Sequence, residues 1–160
     1  MYIGTHACLP IVVISSIDII RLSFSRERLL TNKQLALIGL AGVLPDFLWP
    51  HFSMQQRLHS WTHAQWFLIL LFPIILLISK KRVKNQFVKF SLIFWITVIL
   101  HLFMDALSGG INFFYPLGNI IGGYYISHPT WITWDIVFIS ATILLLFFRF
   151  KIQTRIMYNY

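Results

Sequence analysis

Long apolar blocks without a polar helix face dominate the pattern of this chain. The three strongest are Ala64–Ser79, Phe90–Leu107 and Trp131–Phe148. Spanning the hydrocarbon core of a bilayer takes about 20 mostly apolar residues, so these blocks with their flanks predict transmembrane helices. A helix on the surface of a soluble protein would instead carry a polar stripe.

Two weaker apolar segments precede these blocks. Ala7–Ile20 contains a proline and an acid, and Leu35–Trp49 is interrupted near its end by Pro45 and Asp46. Both are short for a span and suit helices packed inside a bundle. The pattern therefore predicts an all-α fold, a polytopic transmembrane bundle of about five helices, with residues 1–160 forming one domain.

Composition agrees with a membrane protein, since 58% of residues are hydrophobic and 11% charged, whereas soluble domains carry about 25% charged residues. The net charge of +8 does not indicate nucleic-acid binding, because the basic residues flank the apolar segments. With five spans they fall on one side, and Arg57 is the exception. The positive-inside rule then predicts a multi-pass cell-membrane protein with its N-terminus outside and its C-terminus cytoplasmic.

Most histidines and acids fall at the predicted external end of the bundle. Asp18 and Glu27 lie toward the other end, near several arginines, where a structural pairing is expected. An acid within a span costs about 2.5–3.5 kcal/mol at mid-helix and needs a partner. The external set comprises His6, Asp46, His59, His63, His101, Asp105, His128 and Asp135.

Spacing suggests metal binding. His101 and Asp105 are four residues apart, as are His59 and His63, and this spacing places two side chains on one helix face. Helices offer two ligands to one metal in this way. Imidazole nitrogens and carboxylate oxygens without thiolate suit zinc, iron or manganese. The alternative is that His101 and Asp105 only hydrogen-bond within the bundle.

Other residues near this end have simpler structural explanations. His51 and His128, each taken alone, are more typical of hydrogen-bonded core histidines. The uncharged segment 108–130 is rich in glycine and aromatic residues. We expect it to help cover a site, although it could simply lie on the membrane surface.

The order of these residues resembles a known family. The segments are Thr5-His6, Leu44-Pro45-Asp46, Thr62-His63, His101 to Asp105 (HLFMD) and Tyr115-Pro116. This order is similar to that of the YdjM-like membrane-bound metal-dependent hydrolases, which typically show LPDxDHP, HRxxTHS and HxxxDxxTxxG…P blocks. The resemblance implies a helical metal site similar in style to zinc-dependent phospholipases C. Its ligands, or their neighbours, would be His6, Asp46, His63, His101 and Asp105.

The chain departs from the family pattern at two places. Leu48 and Trp49 replace the second Asp and the His of the first block, and Leu58 and His59 stand where His and Arg would be in the second. Arg57, just upstream, could substitute for that arginine. The departures suggest either one metal where relatives bind two, or a lost catalytic activity.

The sequence therefore favours a membrane-embedded metal-dependent hydrolase with its site toward the external face. A divalent metal, with zinc favoured over manganese or iron, would activate water and polarise an ester. Arg57 and His59 are candidate catalytic groups. Arg57 could hold a phosphate or merely anchor the chain, and His59 could be a further ligand or a group that hydrogen-bonds a ligand. His128 and Asp135 are possible additional site residues. The expected partners are membrane lipids and a lipid or phosphoester substrate, the latter by analogy.

Two alternatives to the hydrolase remain. A small ion or proton transporter would use buried His and Asp residues as a relay. A non-catalytic membrane scaffold would explain the lost motif residues.

Overall fold

The computed structural model describes residues 3–25, 28–51, 53–80, 85–123 and 128–158. These ranges are mostly helical, as predicted. The helices are α1 (Ile3–Ser25), α2 (Asn32–Gly42), α3 (Leu44–Leu48), α4 (Met54–Leu58), α5 (Gln65–Lys80), α6 (Asn85–Leu107) and α7 (His128–Tyr158). Glu27 and the side chain of His128 lie outside the described residues.

Three helices are long and apolar enough to cross a membrane: α1, α6 and α7. The predicted segment Leu35–Trp49 is divided between α2 and α3. α2 begins at a capping box formed by Thr31 and Gln34 and ends before Val43. Pro45 follows in the first turn of α3, where its missing N–H is tolerated but could not continue α2. With α2 at 11 residues and α5 at 16, the count of five spans stays a prediction.

The helices pack so that one end of the bundle collects several chain segments. α1 packs against α7 and α2, α2 packs against α6, and α6 packs against α5. α1 and α7 begin at the same end, since Thr5 donates its backbone N–H to Asp135 at 2.8 Å. α6 finishes there, since Asp105 lies 3.2 Å from His6. The connection between α2 and α5 also reaches this end.

Reporter fusions after Ser53, Lys84 and Gly118 should test the membrane crossing of α2–α3 and α5. If both cross, Ser53 and Gly118 should report the outside and Lys84 the cytoplasm. If only the three long helices span, Ser53 should report the same side as Lys84. Equal signals after Lys84 and Gly118 would contradict any arrangement in which α6 crosses.

A buried ion pair stabilises the opposite end of the bundle. The Arg149 guanidinium on α7 donates to the Asp18 carboxylate on α1 at 2.7 Å, and both side chains are almost fully buried. Arg149 also donates to the Asn32 side chain at 2.8 Å and to the backbone carbonyl of Leu30. Arg149 and Asp18 are 131 residues apart in the sequence. The sequence had suggested arginines close to Asp18 as its partners, and not Arg149.

A short antiparallel hairpin departs from the all-helical prediction. β1 (Ile111–Asn112) pairs with β2 (Ile121–Gly122) within the segment predicted to cover a site. The hairpin attaches to α5 through a hydrogen bond from Gln65 N–H to the Phe113 carbonyl at 3.1 Å. Gly123 has φ of +151°, and a Cβ there would overlap with the backbone of Ala106, so this tight return favours glycine.

Candidate metal centre

Four side chains converge at the end of the bundle where α1 begins. Asp46 comes from α3, His63 from the 3-10 turn Trp61–His63 that precedes α5, and His101 and Asp105 from the last turns of α6. His63, His101 and Asp105 are at most 2% exposed. The four residues form the group of histidines and carboxylates in the described structure that could hold a metal ion.

The potential ligand atoms lie close together. His63 Nε2 is 3.1 Å from Asp46 Oδ1, 3.2 Å from Asp105 Oδ2 and 3.3 Å from His101 Nε2. His101 Nε2 is 3.2 Å from Asp105 Oδ2 and 3.7 Å from Asp46 Oδ1. Bonds of about 2.0–2.2 Å to a tetrahedral metal require ligand atoms about 3.3–3.6 Å apart. The five separations are near this range and all four atoms lie within 4.8 Å of one another, so the cluster is compact enough for its residues to bind one metal ion.

The backbone of α2 orients His101. Its Nδ1 lies 2.7 Å from the carbonyl oxygen of Gly42, and a carbonyl can only accept, so Nδ1 carries the hydrogen. The lone pair of the neutral ring is then on Nε2, which faces His63 and the carboxylates. Metal-binding histidines typically donate their second N–H to such a group.

Gly42 allows α2 to approach α1 closely. Pro10 in α1 has no N–H, so the His6 carbonyl lacks its usual intrahelical donor. A Cβ on Gly42 would overlap with this same carbonyl oxygen. Gly42 thus contacts α1 with its Cα and holds His101 with its carbonyl.

Gly42→Ala should destabilise the protein and disturb the centre together. The new methyl group meets backbone, which cannot rotate away, so we expect a loss of about 3 kcal/mol or more in the free energy of unfolding. Gly39→Ala is the matched control, because its Cβ would meet the flexible tip of Ile11 at 2.8 Å. Gly42→Ala should have a lower melting temperature and a lower metal content than Gly39→Ala. Equal effects of the two variants would show that Gly42 is not required for the close approach of α2 to α1.

Two hydroxyl groups orient His63. Its Nδ1 lies 3.1 Å from both Thr62 Oγ1 and Ser60 Oγ, and these hydroxyls are 2.8 Å apart. Thr62 Oγ1 also donates to the Pro45 carbonyl at 3.1 Å. This buried network connects His63 to the backbone immediately before Asp46.

Thr62→Val should weaken metal binding without unfolding the protein. Valine has nearly the shape of threonine but cannot accept from His63 Nδ1 or donate to Pro45. Loss of such outer contacts typically costs 10–100-fold in metal affinity or activity. Thr133→Val is the control, because Thr133 is exposed and bonds only within α7 among the described contacts. Competition titration with a metal chelator should separate the two variants.

The two oxygens of Asp105 have different surroundings. Oδ1 accepts from Arg57 Nη1 at 2.8 Å and lies 3.2 Å from His6 Nε2. Oδ2 is buried and lies 3.2 Å from Nε2 of both His63 and His101. A metal ion bound between these nitrogens and Oδ2 would take the place of a proton on the imidazoles.

The protonation of His63 reflects the same attraction for a cation. Burial alone would lower the pKa of His63, but the hydrogen bonds and charges of Asp105 and Asp46 outweigh burial and raise it above its ordinary value. The carboxylates thus favour a proton on this ring, and a metal ion would compete with that proton.

The structure arranges the other predicted residues in different ways. His6 stacks on His101 with ring centroids 4.0 Å apart and faces Asp105 Oδ1, one layer outside the four-residue group. Arg57, expected to face a substrate or the interface, is 2% exposed and pairs with Asp105. Asp135 bonds Thr5 instead of joining the cluster.

The expectation that His59 and His63 share a helix face is wrong. α4 ends at Leu58 and the 3-10 turn begins at Trp61, so no α-helix connects the two histidines. His59 Nδ1 lies 2.7 Å from the Gln55 carbonyl, and its ring contacts Tyr115 edge-on. The structure does not bring His59 to the four-residue group.

His51, interpreted from the sequence as a core histidine, lies beside the centre. Its Nδ1 is 3.6 Å from Asp46 Oδ1 and its ring packs edge-on against His63. Burial and the nearby His63 lower the pKa of His51. The side chains of His51 and Asp46 are 16% and 18% exposed, so the centre opens on this side. The sequence did carry a signal for His51, because it lies two residues after Trp49, and Trp49 stands where the family has a histidine.

Exposed apolar side chains adjoin Asp46 and His63 in the sequence. Phe47, Leu48 and Trp49 directly follow Asp46, and Phe47 is 79% exposed. Trp61, two residues before His63, is also exposed. Tryptophan is typical of the membrane–water interface, so these residues place apolar surface at the entrance.

The sequence profile of the family described as YdjM inner membrane protein matches residues 1–159. No curated protein and no solved structure gave a significant match.

Proposed function

This chain belongs to the YdjM inner membrane protein family, and from that premise we propose that it is a metal-dependent hydrolase of the membrane. The observation that carries the proposal is the cluster of four potential ligand atoms within 4.8 Å of one another. A divalent metal there would polarise a scissile ester and make a water molecule more acidic. Zinc is the preferred candidate, because nitrogen and carboxylate ligands suit it, and a catalytic zinc also needs an open position for water. The partly exposed side beside Asp46 and His51 would supply that position.

The residues divide into ligands and groups that hold them. Asp46, His63, His101 and Asp105 would bind the metal through the atoms that face one another. Arg57 and His6 position Asp105 by contacting Oδ1, which leaves Oδ2 for the metal. Such contacts fix the direction of a carboxylate and are as necessary as the ligands themselves.

We further propose that the substrate is a lipid with an ester or phosphoester bond. The opening beside His51 and Asp46 is bordered by the exposed side chains of Phe47, Leu48 and Trp49. Apolar surface at an entrance favours acyl chains over a water-soluble substrate. A lipid entering there would bring its ester to the centre while its chains remain in the bilayer.

The geometry favours a hydrolase over the transporter alternative. The four candidate ligand atoms lie within 4.8 Å of one another. A relay would need titratable groups distributed through the membrane depth. On α6 the next eight residues before His101 carry no titratable side chain.

The test uses the full chain purified in detergent. Metal content is measured first, and hydrolysis is then assayed with a phospholipid and with a soluble phosphodiester bearing the same headgroup. We expect stoichiometric metal, lipid hydrolysis that chelation abolishes, and loss of both in His63→Ala. Trp49→Ser should reduce hydrolysis of the lipid only. A protein without metal after reconstitution with zinc, manganese or iron would overturn the proposal.

A further inference from the structure

A cavity lies between α1, α2 and α7, toward the end of α1 that carries Asp18. Its volume is about 400 Å³, within the range of small-molecule sites. Its walls are apolar, formed by Ile11, Leu35, Ala36, Leu146 and Phe150, and its polar lining consists of Asn32, Arg149 and Gln153. None of these residues belongs to the candidate metal centre.

Gln153 gives the cavity an unused hydrogen-bond donor. Its side chain is 6% exposed, and its amide nitrogen Nε2 has no partner among the described residues. A buried amide donor without an acceptor costs about 1–3 kcal/mol. The residue lines the cavity, so an acceptor oxygen on a ligand there would satisfy it.

The surroundings define the charge that such a ligand should carry. The charge of Arg149 is neutralised by Asp18, so this ion pair gives the interior of the cavity no net charge. Exposed lysines adjoin two of the lining residues in sequence: Lys33 follows Asn32, and Lys151 follows Phe150. Basic residues at the ends of transmembrane helices attract anionic headgroups.

The cavity is also open laterally. Leu146 and Phe150 line it and are 39% and 63% exposed, on helices that are apolar enough to lie in the bilayer. A ligand entering from that side must combine an apolar body with an acceptor oxygen, and membrane phospholipids have this chemistry.

We propose that this cavity binds one anionic phospholipid. An acyl chain lies along Leu35, Leu146 and Phe150, and a headgroup oxygen accepts from the Gln153 amide. The site is separate from the candidate metal centre and does not depend on the proposed hydrolase activity.

Native mass spectrometry of the delipidated full chain in detergent tests this site. The probes are phosphatidylglycerol and phosphatidylcholine with identical acyl chains. We expect one phosphatidylglycerol per chain, bound about tenfold more tightly than phosphatidylcholine, because only phosphatidylglycerol has a net negative charge for Lys33 and Lys151 to attract. Equal affinities for the two lipids would overturn the proposal.

Two variants and one control locate the binding. Gln153→Leu should lower phosphatidylglycerol affinity about tenfold. Ala36→Trp, at an exposed position in the wall, should fill the cavity and lower the affinity for both lipids. Gln55→Leu, the same change at an exposed position outside the cavity, should leave binding unchanged.

The outcomes separate the parts of the argument. If Gln153→Leu does not fold, Ala36→Trp still tests the cavity, and unchanged binding there overturns the proposal. A loss in Ala36→Trp with unchanged binding in a folded Gln153→Leu also overturns it, because the headgroup contact would be absent. The metal content of every folded variant should equal that of the wild type.

Discussion

Asp105→Asn should abolish metal binding and hydrolysis together. The substitution keeps the size of the side chain but removes the anionic oxygen that faces His63 and His101, each at 3.2 Å. His101→Ala removes the neighbouring ligand and should have the same effect. Metal stoichiometry of the wild type and both variants, purified alike, is the deciding measurement, and hydrolysis should fall with occupancy because the reaction depends on the metal.

The alternative for this pair predicts a different result. If His101 and Asp105 only hydrogen-bond each other within the bundle, Asp105→Asn should be mild, because an amide can bond a neutral imidazole. Full metal content in Asp105→Asn would therefore exclude the proposed ligand set. Neither variant should leave the membrane fraction, since insertion depends on the apolar helices.

Arg57→Met should destabilise the metal-free protein more than the metal-loaded protein. Without metal, Arg57 is the fully charged partner of the buried Asp105 among the described contacts. Removing one member of a buried ion pair costs about 3–5 kcal/mol, or about 6–12 °C in melting temperature for the lower figure in a chain of this size. Bound metal would supply a second positive charge to Asp105 and reduce the loss.

Thermal unfolding with and without zinc measures this difference. Arg28→Met is the matched control, because Arg28 is exposed, and both of its melting temperatures should stay near those of the wild type. If Arg57 instead clamps an anionic substrate, Arg57→Met should raise KM and leave both melting temperatures unchanged. Arg57→Lys should restore only part of the stability, because lysine lacks the planar fork whose Nη1 donates to Asp105 while Nη2 donates to the Ser108 carbonyl.

Helix positions followed from the sequence because lipid-facing helices must be apolar along their length. The predicted block Phe90–Leu107 ends where α6 ends. Helix lengths followed less well: α7 continues past Arg149 to Tyr158, although a charge there suggested a helix end. Arg149 is tolerated because Asp18, on another helix, neutralises it, and such distant pairing leaves no periodic signal.

The candidate site was predictable where ligands share a helix. His101 and Asp105 are linked by helix geometry alone, whereas His6 required the register of α1 against α6, which apolar patterning does not define. His51 was missed because its approach to Asp46 depends on the path of an irregular connection. His59 was expected to share a helix face with His63, because a spacing of four residues was taken to imply a continuous helix.

Twelve residues separate His6 from Asp18 on α1, and each anchors a buried polar cluster. At 1.5 Å per residue the clusters are about 18 Å apart along the helix, whereas the hydrocarbon core is about 30 Å thick. At least one cluster therefore lies below headgroup level. Because His6 and Asp18 are both buried between helices, α1 can still present an apolar surface to lipid along its length. If the metal centre is the deeper cluster, a lipid ester must move inward from headgroup level to reach it.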